Sequence, residues 1–105
     1  MANLDNGNSP YLLDCSDAVV EELKKLQRRA TRRGQGEAFV SAFRRIIRSL
    51  REDPSRTGEP DYTLPALRLQ VRTVVVAPLA IAFAVNEEHR IVWIRGGKLL
   101  TALGS

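Results

Sequence analysis

The stretch from Leu67 to Ile94, LRLQVRTVVVAPLAIAFAVNEEHRIVWI, constrains the fold more than any other part of this chain, because it gathers β-branched residues into runs of strand length. Leu67, Leu69 and Val71 alternate with Arg68, Gln70 and Arg72, the period of two that sets one face of a strand on a core and the other in water. Leu79, Ile81, Phe83 and Val85 alternate with Ala80, Ala82 and Ala84, and Ile91 to Ile94 form a third apolar run. Asn86-Glu87-Glu88-His89 separates the last two runs as a polar hairpin loop, and Ala77-Pro78 separates the first two as a bend or bulge. Three consecutive strands with such short connections make a mainly antiparallel sheet. If they pair without an odd bulge, Arg68, Gln70 and Arg72 share a face with the alanine stripe, and Trp93 packs in the core.

A sheet this small needs a cover, and the preceding residues supply it. Tyr11, Leu13 and Cys15 alternate with Leu12 and Asp14 as a short first strand, after which Ser16-Asp17 offers N-cap chemistry. From Ala18 to Arg33 the residues Val19, Leu23, Leu26 and Ala30 recur at helical spacing among lysines and arginines. Gly34-Gln35-Gly36 permits a sharp reversal, and a second helix from Glu37 to Arg51 carries Phe39, Val40, Phe43, Ile46, Ile47 and Leu50 on a wide apolar face. Two amphipathic helices joined so closely lie antiparallel, and both stripes are buried only if the hairpin packs on the sheet. Asp53-Pro54 ends the second helix, and Ser55 to Pro65 is a turn-rich connection. The expected fold is α+β, in the order β-α-α-β-β-β.

At 105 residues the chain has the size of one domain, expected over residues 10–98, with a leader at 1–9 and a tail at 99–105. The apolar residues are dispersed, so no membrane span is expected, and MANLDNGNS does not resemble a secretory signal, which makes the cytoplasm the default compartment. Cys15 is the single cysteine and has no disulfide partner; no paired cysteines or histidines suggest a metal site, and neither a metal nor a cofactor is expected. His89, beside Glu87 and Glu88, reads as a solvated loop residue. The net charge of +4 is compatible with an acidic partner such as nucleic acid, the ribosome or an acidic peptide.

The order of elements and the wording of several segments resemble the RelE/ParE superfamily of small bacterial toxins. The resemblance covers residues 10–98 and is carried by LKKLQRR and FRRIIRSLREDP in the helices, PSRTGEP in the connection, LRLQVR, and the hairpin PLAIAFAVNEEHRIVWI. It implies either ribosome-dependent cleavage of mRNA, a metal-free endoribonuclease activity, or poisoning of DNA gyrase, with a small acidic antitoxin as the silencing partner. Carried over residue by residue, the site's basic residues fall on Arg68, Arg95 and Lys98 as catalytic candidates. Gln70 occupies one of the family's basic positions, Ala80 stands where an arginine is expected, and no tyrosine follows Tyr62. Gln70 and Arg72 on the sheet, with Arg28, Arg32, Arg44 and Arg48 on the helices, are the binding candidates. The alternative is a non-enzymatic binding module on the same fold.

Overall fold

The computed structural model describes residues 10–100. A five-stranded sheet in the order β1-β5-β4-β3-β2 is formed by β1 (Leu12–Cys15), β2 (Glu59–Leu64), β3 (Leu69–Val76), β4 (Leu79–Asn86) and β5 (Ile91–Leu99). Two helices, α1 (Asp17–Arg32) and α2 (Gly36–Glu52), form the expected hairpin between β1 and β2 in the chain. Only the β1–β5 pair is parallel. The α+β class and the order of elements are as the sequence indicates, with one addition. The second half of the turn-rich connection, Glu59–Leu64, is itself an edge strand, β2.

Local chemistry accounts for the boundaries. Ser16 Oγ accepts a hydrogen bond from the Val19 N–H at 3.2 Å, which satisfies one of the free donors at the start of α1. Gly34, at φ 77°, turns the chain between the helices. Pro54 starts a single 3-10 turn after α2, and Thr57 Oγ1 donates to Asp53 O at 2.7 Å to close it. At Gly58, φ is 70°, and an added Cβ would sit 2.1 Å from the Thr73 carbonyl oxygen, so the approach to β2 admits no side chain. A second 3-10 turn, Pro65–Leu67, precedes β3.

Directly opposed residues of neighbouring strands share a face of the sheet. Leu79, Ile81, Phe83 and Val85 of β4 oppose Val76, Val74, Arg72 and Gln70 of β3, and Leu99, Gly97, Ile94 and Val92 of β5. This is the face the helices cover: Leu26 and Ala30 of α1 and Phe39, Ala42, Ile46 and Leu50 of α2 are buried in one cluster with it. Burying each large side chain there contributes about 1.5–3 kcal/mol, which makes this layer the principal source of stability. Tyr11 closes one end of the core. Its hydroxyl donates to Glu87 Oε1 at 2.7 Å, and the Arg90 guanidinium lies 4.2 Å over its ring. Burial, and then the bond to Glu87, push the Tyr11 phenol above its ordinary value.

Three expectations are corrected by this register. Leu67 and Arg68 precede β3: Leu67 is in the 3-10 turn and 62% exposed, and Arg68 follows in the left-handed region at φ 55°. Gln70 and Arg72 lie on the helix-covered face, opposite Val85 and Phe83, so they do not share a face with the alanines. Trp93 opposes Ala84 on β4 and Asp14 on β1, which puts it on the open face instead of in the helix-covered core. The expected leader at 1–9 lies outside the described residues, as do residues 101–105 of the expected tail; β5 runs through Leu99.

Candidate functional site

The face opposite the helices is built from small residues framed by aromatic and charged ones. Ala80, Ala82 and Ala84 of β4 oppose Val75, Thr73 and Val71 of β3 and, on β5, Lys98, Gly96 and Trp93. One row crosses the sheet as Asp14, Trp93, Ala84, Val71 and Tyr62. Trp93 and Tyr62 are therefore three strand spacings apart, about 14 Å, with an alanine and a valine as the floor between them. Tyr62 is 51% exposed, whereas Ala84 and Val71 are each 3% exposed. Aromatic side chains thus stand at both ends of a shallow, small-residue floor.

Arg95 enters this face through an irregularity. The β4–β5 register shifts between Ala82 and Phe83, where Ile94 opposes Phe83 and Gly96 opposes Ala82, so Arg95 is the extra residue of a bulge. Its Nη1 donates to Tyr62 Oη at 3.2 Å, reaching from β5 to β2. A second shift, between Pro60 and Tyr62, sets Tyr62 opposite Val71 and so onto the same face. Lys98, exposed and opposite Ala80, adds the next cation along β5. Acidic groups lie toward the edges: Asp61 accepts a hydrogen bond from Thr73 Oγ1 at 2.6 Å, and Asp14 is at the β1 margin.

The sequence-derived candidates separate accordingly. Arg95 and Lys98 are together on the open face. Arg68 is at the other end of the sheet, beside the β4–β5 loop, where its Nη1 is 2.8 Å from Glu88 Oε1. From the strand register it is about 20 Å from Lys98 along the strands. Arg72 is buried and makes three hydrogen bonds: Nε to Thr57 O at 2.9 Å, Nη2 to Gly58 O at 2.9 Å and Nη1 to Gln70 Oε1 at 2.8 Å. Arg72 and Gln70 therefore hold the connection into β2 against the helix-side face. Arg28, Arg32, Arg44 and Arg48 are exposed on the helices.

Tyr62 was the residue that sequence reasoning passed over. The resemblance implies a tyrosine late in the chain, while the tyrosine that meets Arg95 comes from β2, 33 residues earlier. Its signal, a lone aromatic in a proline- and glycine-rich connection, becomes informative only once that segment is known to be a strand. The Cys15 thiol is half-buried and pushed up by burial and then by Asp14, which favours an inert side chain over a thiolate. His89 is exposed in the loop, and its backbone N–H donates to Asn86 Oδ1 at 2.7 Å. Among the described residues no group of three or more His, Cys, Asp or Glu side chains is placed to hold a metal, and no helix is long and apolar enough to cross a membrane.

No family model matches this sequence, and no curated protein does. Among solved structures, the chain is similar to the toxin-antitoxin complex RelBE2 from Mycobacterium tuberculosis, at 18% identity and a TM-score of 0.63, over 90% of this chain and 97% of that one. It is likewise similar to the archaeal RelE-RelB complex from Pyrococcus horikoshii, at 16% identity and a TM-score of 0.60, over 85% of this chain and 93% of the other. The chain therefore has a RelE-like toxin fold.

Proposed function

We propose that this chain, on its RelE-like fold, is the toxin-like component of a bacterial toxin-antitoxin pair and acts in the cytoplasm through the open face of its sheet. The carrying observation is the Arg95–Tyr62 pair on a small-residue floor, at 3.2 Å, with Lys98 close by. Arginine and lysine suit a phosphate that gains charge as a 2'-hydroxyl attacks it, and a tyrosine hydroxyl beside them can donate a hydrogen bond or exchange a proton. Trp93 and Tyr62 supply faces on which unstacked bases can lie. Ribosome-bound mRNA is thus the favoured target, and gyrase is the other.

A second reading has its own support. Ala80, where the family resemblance calls for arginine, is 3% exposed on the floor of the face, and Gln70 and Arg72 are turned to the helix side. Cations on the open strands are then reduced to Arg95 and Lys98, which favours a non-enzymatic binding module on the same fold.

Induced expression in a bacterial host, with mapping of mRNA 5' ends on ribosomes, separates these readings. The endoribonuclease reading expects growth arrest and new ends within translated message, both lost in Arg95→Ala. Arrest with intact message and DNA-damage signalling identifies gyrase. Normal growth with intact message refutes both toxin readings and leaves the binding module.

A further inference from the structure

Alternation along a strand sets adjacent side chains on opposite faces, and β2 departs from it at Asp61 and Tyr62. Pro60 opposes Arg72 and Tyr62 opposes Val71, which are neighbours on β3, so Asp61 is the extra residue of a bulge. Tyr62 belongs to the open face by this register. Asp61 reaches the same face through its side chain: Oδ2 accepts the hydrogen bond from Thr73 Oγ1 at 2.6 Å, and Thr73 opposes Ala82 on the alanine floor. The bulge therefore presents a carboxylate and an aromatic ring together on one face, both exposed. Thr73 occupies Oδ2 and leaves Oδ1 for a ligand.

Charge is divided across this face. Arg95 and Lys98 are on β5, whereas Asp61, with Glu59 opposite Thr73, is on β2, three strand spacings or about 14 Å away at the backbone. A phosphate is drawn to the β5 side and repelled from the β2 margin. What suits a carboxylate on that margin is a group with hydrogen-bond donors, and on a nucleotide that group is the base. An RNA strand whose phosphates follow Arg95 and Lys98 turns its bases toward Tyr62, on whose ring a base can lie with its edge at Asp61. The bases differ in what they offer there. Guanine places two donors side by side, N1–H and the N2 amino group. Adenine and cytosine each set an amino donor beside a ring-nitrogen acceptor, which a carboxylate repels, and uracil has a single N–H between two carbonyl oxygens.

We propose that Asp61 is a specificity-determining residue of the open face, selecting guanine in single-stranded RNA by accepting hydrogen bonds from N1–H and the N2 amino group while the base lies on Tyr62. Thr73 is its positioning residue, because the hydroxyl fixes which way the carboxylate points. This rests on the reading of the open face as an RNA site and adds the base that is read there; it does not depend on cleavage.

The test is fluorescence anisotropy on the full chain with short labelled oligouridines in which one central position is guanosine, inosine, adenosine or uridine. Inosine keeps N1–H and lacks the N2 amino group. The guanosine probe is expected to bind about tenfold tighter than the adenosine and uridine probes, with inosine between them. Asp61→Asn, which sets an amide donor against the donors of guanine, should reduce that preference to about twofold or less and leave uridine binding in place. Thr73→Val should weaken the preference and Thr73→Ser should restore it, whereas Arg95→Ala should weaken every probe alike. Thermal unfolding midpoints like that of the parent chain establish that the variants are folded. Equal binding of the probes by the parent chain overturns the proposal, as does a guanosine preference that survives Asp61→Asn. A preference lost in Glu59→Gln and kept in Asp61→Asn assigns the base to the other carboxylate and overturns it too. Binding of no probe overturns it together with the RNA reading. A guanosine preference with no cleaved message on expression leaves Asp61 standing and removes the endoribonuclease. Cleaved message with no guanosine preference does the reverse.

Discussion

On one side of β4, Leu79, Ile81, Phe83 and Val85 stand under two helices, and on the other Ala80, Ala82 and Ala84 form a floor that no helix among the described residues covers. Both sets come from one strand of eight residues, and alternation alone puts them on opposite faces. Their neighbours differ in kind. The helix side gathers branched and aromatic side chains into a core and buries Arg72, which donates to Thr57 O, Gly58 O and Gln70 Oε1 at 2.8–2.9 Å. The open side gathers Trp93, Tyr62, Arg95 and Lys98 around small residues. A guanidinium on the first face, Arg72, is buried among backbone carbonyls, and one on the second, Arg95, is exposed and reaches Tyr62. The same residue type therefore has different work on each face.

That contrast can be broken at several points. The largest expected effect is at Phe83, 0% exposed beneath the helices: Phe83→Ala should cost about 3–5 kcal/mol in urea denaturation. A much smaller loss would mean that the helix layer does not depend on this core. Next comes Arg72→Met, which keeps much of the side chain's length but leaves the Thr57 and Gly58 carbonyls without their donor. It should cost about 1–3 kcal/mol, measured in the same way. If Arg72→Met instead unfolds at the parent midpoint while weakening ligand binding, Arg72 belongs with the open face.

On the other face the expectation reverses. Arg95→Ala and Tyr62→Phe should leave the denaturation midpoint of the parent chain unchanged and abolish or weaken growth arrest, with Arg95→Ala having the greater effect because it removes the cation as well as the contact to Tyr62. Midpoints that fall with activity would make the pair structural. The smallest effect is at Tyr11, whose raised pKa stabilises the folded chain while the phenol stays protonated. That contribution is complete below the ordinary value near 10 and is lost as pH rises through the higher folded value. Tyr11→Phe should therefore flatten the alkaline limb of a stability profile, leaving the limb below neutral pH in place.

Much of the architecture was legible because it is locally encoded. Ser16 caps α1 by a bond spanning three residues, Gly34 turns between the helices, and the helical stripes from Leu23 to Leu50 identify a hairpin needing a sheet. The candidate site was legible only in part. Arg95 and Lys98 lie on the open face, but Arg68 is at the far end, paired with Glu88, and Gln70 and Arg72 point the other way. The alternation of LRLQVR marks a strand only from Leu69 onward and does not reveal its facing direction, because a period of two fixes relative orientation within a strand but not which set meets the helices.

The sequence by itself determined the two helices, the strand-rich second half and the mainly antiparallel sheet, since caps, turn residues and hydrophobic period act over a few neighbouring positions. Only the tertiary structure decided which face each side chain occupies, because that depends on cross-strand register. The bulge at Arg95, the shift before Tyr62 and the pairing of β2 with β3 are properties of strand pairs. Together they bring residues 33 positions apart into contact at 3.2 Å, a pairing that neither strand contains alone.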